Sequence, residues 1–245
     1  MPADLDILFV SGLTGVGKST TLAALENESL TLLPNRRALT DEIIIPWVQQ
    51  SLGQEQKRVT DRLERFDLTC TYRETHPGGI VAALQEYLST HPPDATERLV
   101  FDNVRGLDEC RAALATFPKS RYIFLDAPPL TRLKRMLGRG DSFDQIKQVN
   151  TVRLENTTFV EQLMSLEGAN EIFDSYELAR LEANSDVADD KILDTAKIIL
   201  KEQQNYSAEE AARFLKSELA AERLLYLDTS LLSIDEVVTA IGKWL

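Results

Sequence analysis

Short apolar runs separated by turn-rich or helix-like stretches recur along the first 140 residues, and the same alternation returns at the end of the chain. The runs span residues 5–10, 99–101, 122–125 and 224–227. Their length is typical of buried strands, and a helix-like stretch follows the first and the last of them. Strands alternating with helices favour an α/β fold with a parallel sheet flanked by helices. We expect residues 1–245 to form a single domain, with the last strand and helix of its core in residues 224–245.

Residues 143–223 differ from the rest of the chain in composition. Every proline lies at or before Pro129, and Gly168 is the one glycine within residues 141–223. So few helix breakers over this length predict helices. The segment Ser207-Ala-Glu-Glu has the pattern of a helix-capping box and precedes apolar residues at helical spacing. We therefore predict a helical insertion over residues 143–223.

The same block carries most of the acidic charge. The chain has 27 basic and 39 acidic residues, a net charge of −12, and residues 141–223 hold 9 and 18 of them. This balance argues against a broad binding face for duplex nucleic acid. With two cysteines and two histidines, the chain also lacks the residues for a disulfide framework or a Cys/His zinc site.

The apolar runs are far shorter than the roughly 20 residues that cross a bilayer. The N-terminal residues are acidic, whereas a secretory signal begins with basic residues. We expect a cytoplasmic protein without a membrane partner.

The strongest chemical signal is Gly12-Leu-Thr-Gly-Val-Gly-Lys-Ser, which matches the phosphate-loop pattern G-x-x-x-x-G-K-[ST] in the required strand and helix context. The glycines let successive backbone N–H groups face phosphate oxygens at a helix N-terminus. Lys18 would neutralise the β and γ phosphates of ATP or GTP, which makes it a predicted catalytic residue. The predicted nucleotide-binding residues are Gly12, Thr14, Gly15, Val16, Gly17, Lys18, Ser19 and Thr20.

Two residues are predicted to hold a magnesium ion that accompanies the nucleotide. The Ser19 hydroxyl is the phosphate-loop ligand. Asp102 ends the apolar run at residues 99–101, where a carboxylate at the end of a strand could hold magnesium through water. A helix cap or a turn is the alternative role for Asp102.

A cationic segment follows the run at residues 122–125. Arg132, Arg135 and Arg139 are spaced i, i+3 and i+7 and share one helical face. Planar guanidiniums beside a phosphate loop suit phosphoryl transfer because they meet charge spread over several oxygens. We predict an arginine lid over residues 130–142 with these three residues in catalysis. A solvated cationic helix face is the alternative.

These motifs together resemble those of the P-loop nucleoside and nucleotide kinases, and most closely the guanylate-kinase branch. The resemblance is carried by the phosphate loop, by Leu99-Val-Phe-Asp-Asn-Val-Arg-Gly, by Phe117-Pro-Lys-Ser-Arg-Tyr-Ile-Phe-Leu-Asp-Ala-Pro-Pro, and by the arginine segment up to Ser142. It covers about the first 150 residues and the last 22. It implies a core parallel sheet, a lid and an acceptor-binding segment, here residues 30–95.

In guanylate kinases the corresponding segment clamps the acceptor phosphate with arginines and a tyrosine. The resemblance therefore implies that Arg36, Arg37, Tyr72 and Arg73 bind the acceptor. Surface ion pairs are the alternative role for Arg36 and Arg37. If the acceptor atom is a hydroxyl oxygen, Asp41 is the candidate catalytic base, because a carboxylate could accept the proton.

Two functions follow from the sequence. The first is a magnesium-dependent phosphotransferase that moves the γ-phosphoryl group of ATP or GTP to a small nucleotide or nucleoside-like acceptor. The second is a nucleotide-dependent regulatory ATPase that acts through a protein partner and uses water as the acceptor. The helical insertion could enclose the acceptor, form a homodimer contact or bind a protein partner.

Overall fold

A computed structural model describes residues 4–25, 30–94, 97–138, 158–183 and 187–245. Within these residues, five parallel strands form one sheet in the order β2-β3-β1-β4-β5. The strands are β1 (Ile7–Ser11), β2 (Thr31–Leu32), β3 (Leu99–Val104), β4 (Arg121–Asp126) and β5 (Leu224–Asp228). The four predicted runs are strands β1, β3, β4 and β5, and the parallel α/β fold is confirmed. The two-residue β2 carried no pattern from which it could be predicted.

Helices cover the chain between the strands. Those before β3 are α1 (Lys18–Leu25), α2 (Arg36–Leu39), α3 (Ile45–Ser51), α4 (Arg62–Thr75) and α5 (Ile80–Thr90). A π-helical turn, Thr40–Ile44, joins α2 to α3. The later helices are α6 (Gly106–Thr116), α7 (Pro129–Leu137), α8 (Phe159–Met164), α9 (Ala169–Ile172), α10 (Ser175–Ala183), α11 (Asp189–Asn205), α12 (Ala208–Glu218) and α13 (Ile234–Trp244).

The central strand β1 is buried on both faces, as expected for a strand within a parallel sheet covered by helices. Its side chains alternate, so that Phe9 lies on one face and Leu8 on the other. The Phe9 ring stacks on Tyr122 with centroids 5.2 Å apart. On the opposite face, Leu8 belongs to a cluster that includes Val237 of α13. This packing holds the carboxyl end of β1, where the phosphate-loop motif begins, in a fixed place.

A bulge in β3 shapes the same edge of the sheet. Val10 pairs with Asp102 and Ser11 pairs with Val104, so Asn103 is an extra residue in the ladder. Asn103 has a φ of 78°, a left-handed conformation that asparagine tolerates better than most residues. Because β1 and β3 are parallel neighbours, the bulge places Asp102 beside the segment that follows β1.

The described residues of the predicted insertion are helical, as their composition indicates. Helix α11 packs against α7, and α12 packs against α6. Their buried side chains join the same apolar cluster as Phe9, so the block is continuous with the core. The predicted capping box at Ser207 is wrong, because its side chain makes no capping hydrogen bond. A capping box is present instead at Ser233 and Glu236, at the start of α13.

Among the described residues, no helix combines the length and the apolar character needed to cross a membrane.

Candidate active site

The segment between β1 and α1 forms a tight loop that depends on its glycines. Gly12, Gly15 and Gly17 have φ values of 129°, 87° and 102°. A Cβ atom on Gly12 would lie 2.3 Å from the carbonyl oxygen of Leu125, and one on Gly15 would lie 3.0 Å from that of Arg132. Side chains at these two positions would therefore collide with neighbouring backbone, and the backbone conformation disfavours any L-residue.

Lys18 opens α1 and turns back over this loop. Its Nζ donates to the carbonyl oxygens of Gly12 at 2.9 Å and Leu13 at 2.7 Å. Only 8% of the residue is exposed. Burial lowers the pKa of Lys18 to about 7, although the nearby Asp102 carboxylate opposes the shift. The ammonium thus lies in a poorly solvated place where an added anion would stabilise its charge.

The remaining predicted nucleotide-binding residues lie on the same loop and the start of α1. Ser19 is exposed and Thr20 is half-buried. The Val16 side chain is buried in the apolar cluster on the α13 face, so its part in nucleotide binding would fall to its backbone. The carbonyl oxygen of Val16 accepts a hydrogen bond of 2.8 Å from the Thr229 hydroxyl, which ties the loop to the segment after β5.

Asp102 presents one carboxylate oxygen that suits a magnesium ion with its water ligands. Its Oδ2 accepts from Asn103 Nδ2 at 2.6 Å. Its Oδ1 is buried and has no hydrogen-bond partner among the described residues. Burial raises the pKa of Asp102, while Lys18 and Arg105 oppose the shift. An orphaned buried carboxylate oxygen and the exposed hydroxyl of Ser19 are oxygen ligands of the type magnesium prefers, so the two predicted metal residues fit the ion.

A cavity of about 300 Å³ opens beside Asp102. Its lining carries five arginines and one carboxylate, so it is rich in guanidinium groups, and Glu109, Asp41 and Glu202 behind the lining pair with three of them. The predicted acceptor-binding segment supplies most of this lining, and the end of β3 and the end of α11 complete it. The lining residues are Asn35, Arg36, Arg37, Thr40, Thr60, Arg62, Arg65, Phe66, Thr69, Asp102, Asn103, Arg105 and Tyr206.

Arg36 forms a fixed wall of the cavity. Its two terminal nitrogens donate to the Glu109 carboxylate at 2.7 and 2.8 Å. They also donate to the Tyr206 hydroxyl at 2.6 Å and to the Asn103 carbonyl at 3.0 Å. This pairing is buried, which differs from the alternative of a surface ion pair. Because Glu109 balances its charge and the protein already accepts from both terminal nitrogens, Arg36 contributes shape more than net charge.

Asp41 holds arginines rather than facing the cavity. Its Oδ1 accepts from Arg65 Nη1, and its Oδ2 lies 4.0 Å from Arg37 Nε. Both arginines line the cavity, whereas Asp41 does not. A carboxylate that is ion-paired and outside the cavity is poorly placed to take a proton from an acceptor. The structure thus departs from the prediction of Asp41 as a base.

Tyr72 and Arg73 do not reach the cavity, contrary to the predicted clamp. Tyr72 is 1% exposed, and its ring meets Trp47 edge-on at 5.4 Å and stacks on His76 at 4.1 Å. Arg73 donates to the backbone carbonyl of Asn205 at 2.9 Å. The apolar surface of helix α4 explains the difference, because the side chain of Tyr72 is needed in the core. Of the four predicted acceptor residues, Arg36 and Arg37 line the cavity.

Two of the predicted lid arginines, Arg132 and Arg135, contact carbonyl oxygens of the loop. Arg132 is 1% exposed, and its Nε donates to the carbonyl of Thr14 at 2.7 Å. Arg135 reaches the carbonyl of Gly15 at 3.3 Å. In the described part of the segment, residues 130–137 belong to helix α7, which packs against α11. Arg139 lies outside the described residues, and the role of all three in catalysis stays a prediction.

Glu202 of α11 is the main site residue that the sequence did not indicate. Its buried carboxylate accepts from the backbone N–H of Thr14 at 3.0 Å and from the Thr14 hydroxyl at 2.8 Å. It also pairs with Arg105 at 2.6 Å and with Arg132. Burial opposes its ionisation, but the arginines Arg105 and Arg132 outweigh burial and lower the pKa of Glu202 to about 2.

Tyr206 follows Glu202 by one helical turn and lies on the cavity side. Three guanidiniums surround its ring, those of Arg36, Arg73 and Arg105, at 5.2, 5.0 and 5.8 Å from the centroid. Such cation–π contacts attract the guanidiniums to the ring. Neither Glu202 nor Tyr206 stands in a recognisable motif, so no local signal in the sequence could have revealed them.

Comparisons with known proteins found no protein-family model and no curated protein that matches the chain. Among solved structures, an unliganded sugar kinase from Janibacter sp. HTCC2649 is 12% identical, with 98% of this chain and 94% of that chain covered and a TM-score of 0.46. The Thermus thermophilus protein TT1252 is 15% identical, with 98% of each chain covered and a TM-score of 0.46. With similarity this low, function has to be inferred from the site's own residues.

The site combines two kinds of anion-binding surface. The glycine-rich loop offers backbone N–H groups, a helix N-terminus and the Lys18 ammonium. The adjoining cavity offers guanidiniums that are held in place by Glu109, Asp41 and Tyr206. Asp102 lines the cavity and also acts electrostatically on Lys18, so it links the two surfaces. Two anions could therefore be brought together despite their mutual repulsion.

Proposed function

We propose that the protein is a magnesium-dependent phosphotransferase of the P-loop kinase type. It moves the γ-phosphoryl group of ATP or GTP to a small acceptor that carries its own anionic group. The observation that carries the proposal is the arginine-lined cavity beside a complete phosphate loop, with Asp102 at their border and Arg62 of the lining donating to the Thr14 hydroxyl at 3.3 Å. A site that only hydrolyses nucleotide needs no second cavity lined by arginines.

The phosphate loop would bind the donor. Its N–H groups and Lys18 would hold the β and γ phosphates, and Ser19 and Asp102 would hold magnesium. When bound, the ion would neutralise charge on the donor phosphates. Lys18 gains a full positive charge next to the transferring group, because phosphate restores the stability of the ammonium that burial has reduced.

The arginine-lined cavity would bind the acceptor. Arg62 and Arg65 come from the same face of α4 and line it together with Arg37. A phosphate or carboxylate group on the acceptor could meet these guanidiniums with paired hydrogen bonds. A nucleoside monophosphate, the acceptor of guanylate kinases, has this chemistry. Rate enhancement would then come chiefly from positioning two anions and from stabilising charge during transfer.

An acceptor screen tests this function. Purified protein is given Mg-ATP or Mg-GTP with a panel of nucleoside monophosphates, nucleosides and small phosphorylated metabolites, and nucleoside diphosphate formation is measured. We expect one anionic compound to raise the rate well above the rate with water alone. Arg65→Ala should raise the KM for that compound without changing the KM for the nucleotide donor.

A matched control is Arg213→Ala, which removes an exposed arginine that pairs with Glu209 and does not line the cavity. It should change neither KM. If no acceptor responds, and hydrolysis appears only when a cell extract is added, the kinase proposal fails and the regulatory ATPase replaces it.

A further inference from the structure

Thr14 of the phosphate loop is held by all of its polar groups. Its N–H and its hydroxyl donate to Glu202, at 3.0 and 2.8 Å. Its carbonyl accepts from Arg132 Nε at 2.7 Å, and the Arg132 terminal nitrogen closes the ring by pairing with Glu202. The loop backbone at this point is therefore fixed by a carboxylate that comes from helix α11.

Glu202 is an unusual residue to find at a helix–core contact. Glu202 is 0% exposed. Burying a carboxylate costs free energy unless charged partners and hydrogen bonds compensate. An apolar side chain would pack α11 against α7 without that cost. Thr14, Arg105 and Arg132 supply the compensation. Each of these three borders the loop or the cavity, which connects the carboxylate with the site rather than with the core alone.

The end of α11 acts on both halves of the site. Glu202 contacts the loop through Thr14, and Tyr206, the residue directly after the helix, contacts the cavity arginines. Arg105 touches both residues, because it pairs with Glu202 and lies over the Tyr206 ring. The helix end therefore joins the donor side to the acceptor side.

We propose that Glu202 is a positioning residue for phosphoryl transfer, which fixes Thr14, Arg105 and Arg132 in one arrangement around the phosphate loop. The helical insertion is then part of the transfer machinery and not an appended module. This inference rests on the proposed function. It assigns no contact between Glu202 and a substrate.

The test compares Glu202→Gln with Glu209→Gln. Both substitutions remove one carboxylate from the insertion, but Glu209 is an exposed residue of α12 paired with Arg213. Single-turnover decay of Mg-ATP with protein in excess measures transfer to water, so no acceptor has to be known. Titration with a non-hydrolysable Mg-ATP analogue gives the affinity and the number of sites per chain.

We expect Glu202→Gln to lower the maximal single-turnover rate at least tenfold. The half-saturating concentration should not rise, because one negative charge near the loop has been removed. The analogue should still bind one site per chain, which shows that the loss is not a loss of folded protein. Glu202→Asp, which keeps the charge on a shorter side chain, should recover part of the rate, and Glu209→Gln should match the wild type.

Three outcomes would overturn the inference. One is an unchanged rate per binding site in Glu202→Gln with only a lower melting temperature, which makes Glu202 structural. Another is a tighter analogue affinity with an unchanged rate, which makes Glu202 a competitor of the phosphates. If Glu202→Gln does not fold, a wild-type single-turnover rate in Glu202→Asp would be the third outcome that overturns the inference. If the wild-type protein binds no nucleotide, the proposed function itself fails, and this result is distinct from the others.

Discussion

Nucleotide binding should change the protonation of Lys18. Its ammonium is buried against two loop carbonyls, and burial lowers its pKa to about 7 in the nucleotide-free protein. Phosphate oxygens placed beside the ammonium raise its pKa again, since an opposite charge favours the charged form. Mg-ATP binding above pH 7 should therefore take up a proton at Lys18.

The magnitude follows from the pKa of about 7. At pH 8 about nine-tenths of the free protein would carry a neutral Lys18, so binding takes up about 0.9 proton. At pH 6 the side chain is already protonated and uptake falls to about 0.1 proton. Integrated over this interval, the linkage makes Mg-ATP binding about tenfold weaker at pH 8 than at pH 6.

Isothermal titration calorimetry in buffers of different ionisation enthalpy measures this uptake directly. Lys18→Arg is the matched control, because a guanidinium stays protonated throughout this range and the nucleotide's own titration is retained. The variant should take up no proton at position 18. If wild type and Lys18→Arg take up the same number of protons at pH 8, Lys18 is charged before the nucleotide arrives, and the role assigned to its burial is wrong.

Three further substitutions test single features of the site. Gly12→Ala should lower the free energy of unfolding by about 3 kcal/mol, since its Cβ would lie 2.3 Å from a backbone oxygen of β4. Gly17→Ala should lower it by about 1 kcal/mol, because the space around that position is open. Urea denaturation of the two variants measures both values. Arg132→Ala should cost about 3 kcal/mol or more in the same assay, because it leaves the buried Glu202 carboxylate short of one partner. Tyr72→Phe should leave the acceptor KM within about twofold of wild type, because Tyr72 lies in the core. A KM about tenfold higher would show that the Tyr72 hydroxyl contacts the acceptor.

The parts of the site that could be predicted are those encoded locally. The phosphate loop needs glycines at fixed positions, because their backbone conformations and close contacts exclude other residues. These positions lie within one short segment of the sequence, so the motif can be recognised there. Four of the five strands were also recognisable, since a strand buried on both faces is a short apolar run. Asp102 could be picked out for the same reason, as the polar residue at the end of such a run.

The remaining site residues come together only through the tertiary fold. Glu202 and Thr14 are 188 positions apart in the chain. The residues next to Glu202 are mostly polar, a composition typical of an exposed helix surface. Arg132 and Arg135 do share a face of α7, but spacing alone does not say what that face packs against. Here the two side chains meet the loop carbonyls, and α7 packs against α11. The resemblance to guanylate kinases implies that Tyr72 binds the acceptor, whereas its ring is buried in the core.

The central claim is that the protein transfers a phosphoryl group to a small anionic acceptor. The fate of the γ-phosphorus of labelled ATP tests it most directly, in a single turnover with magnesium and a pool of small anionic metabolites. We predict that the label appears in an organic phosphate product, and that Lys18→Ala abolishes this transfer while its circular dichroism spectrum remains that of the wild type. Label found entirely in inorganic phosphate, with every acceptor pool, would contradict the claim and identify water as the acceptor.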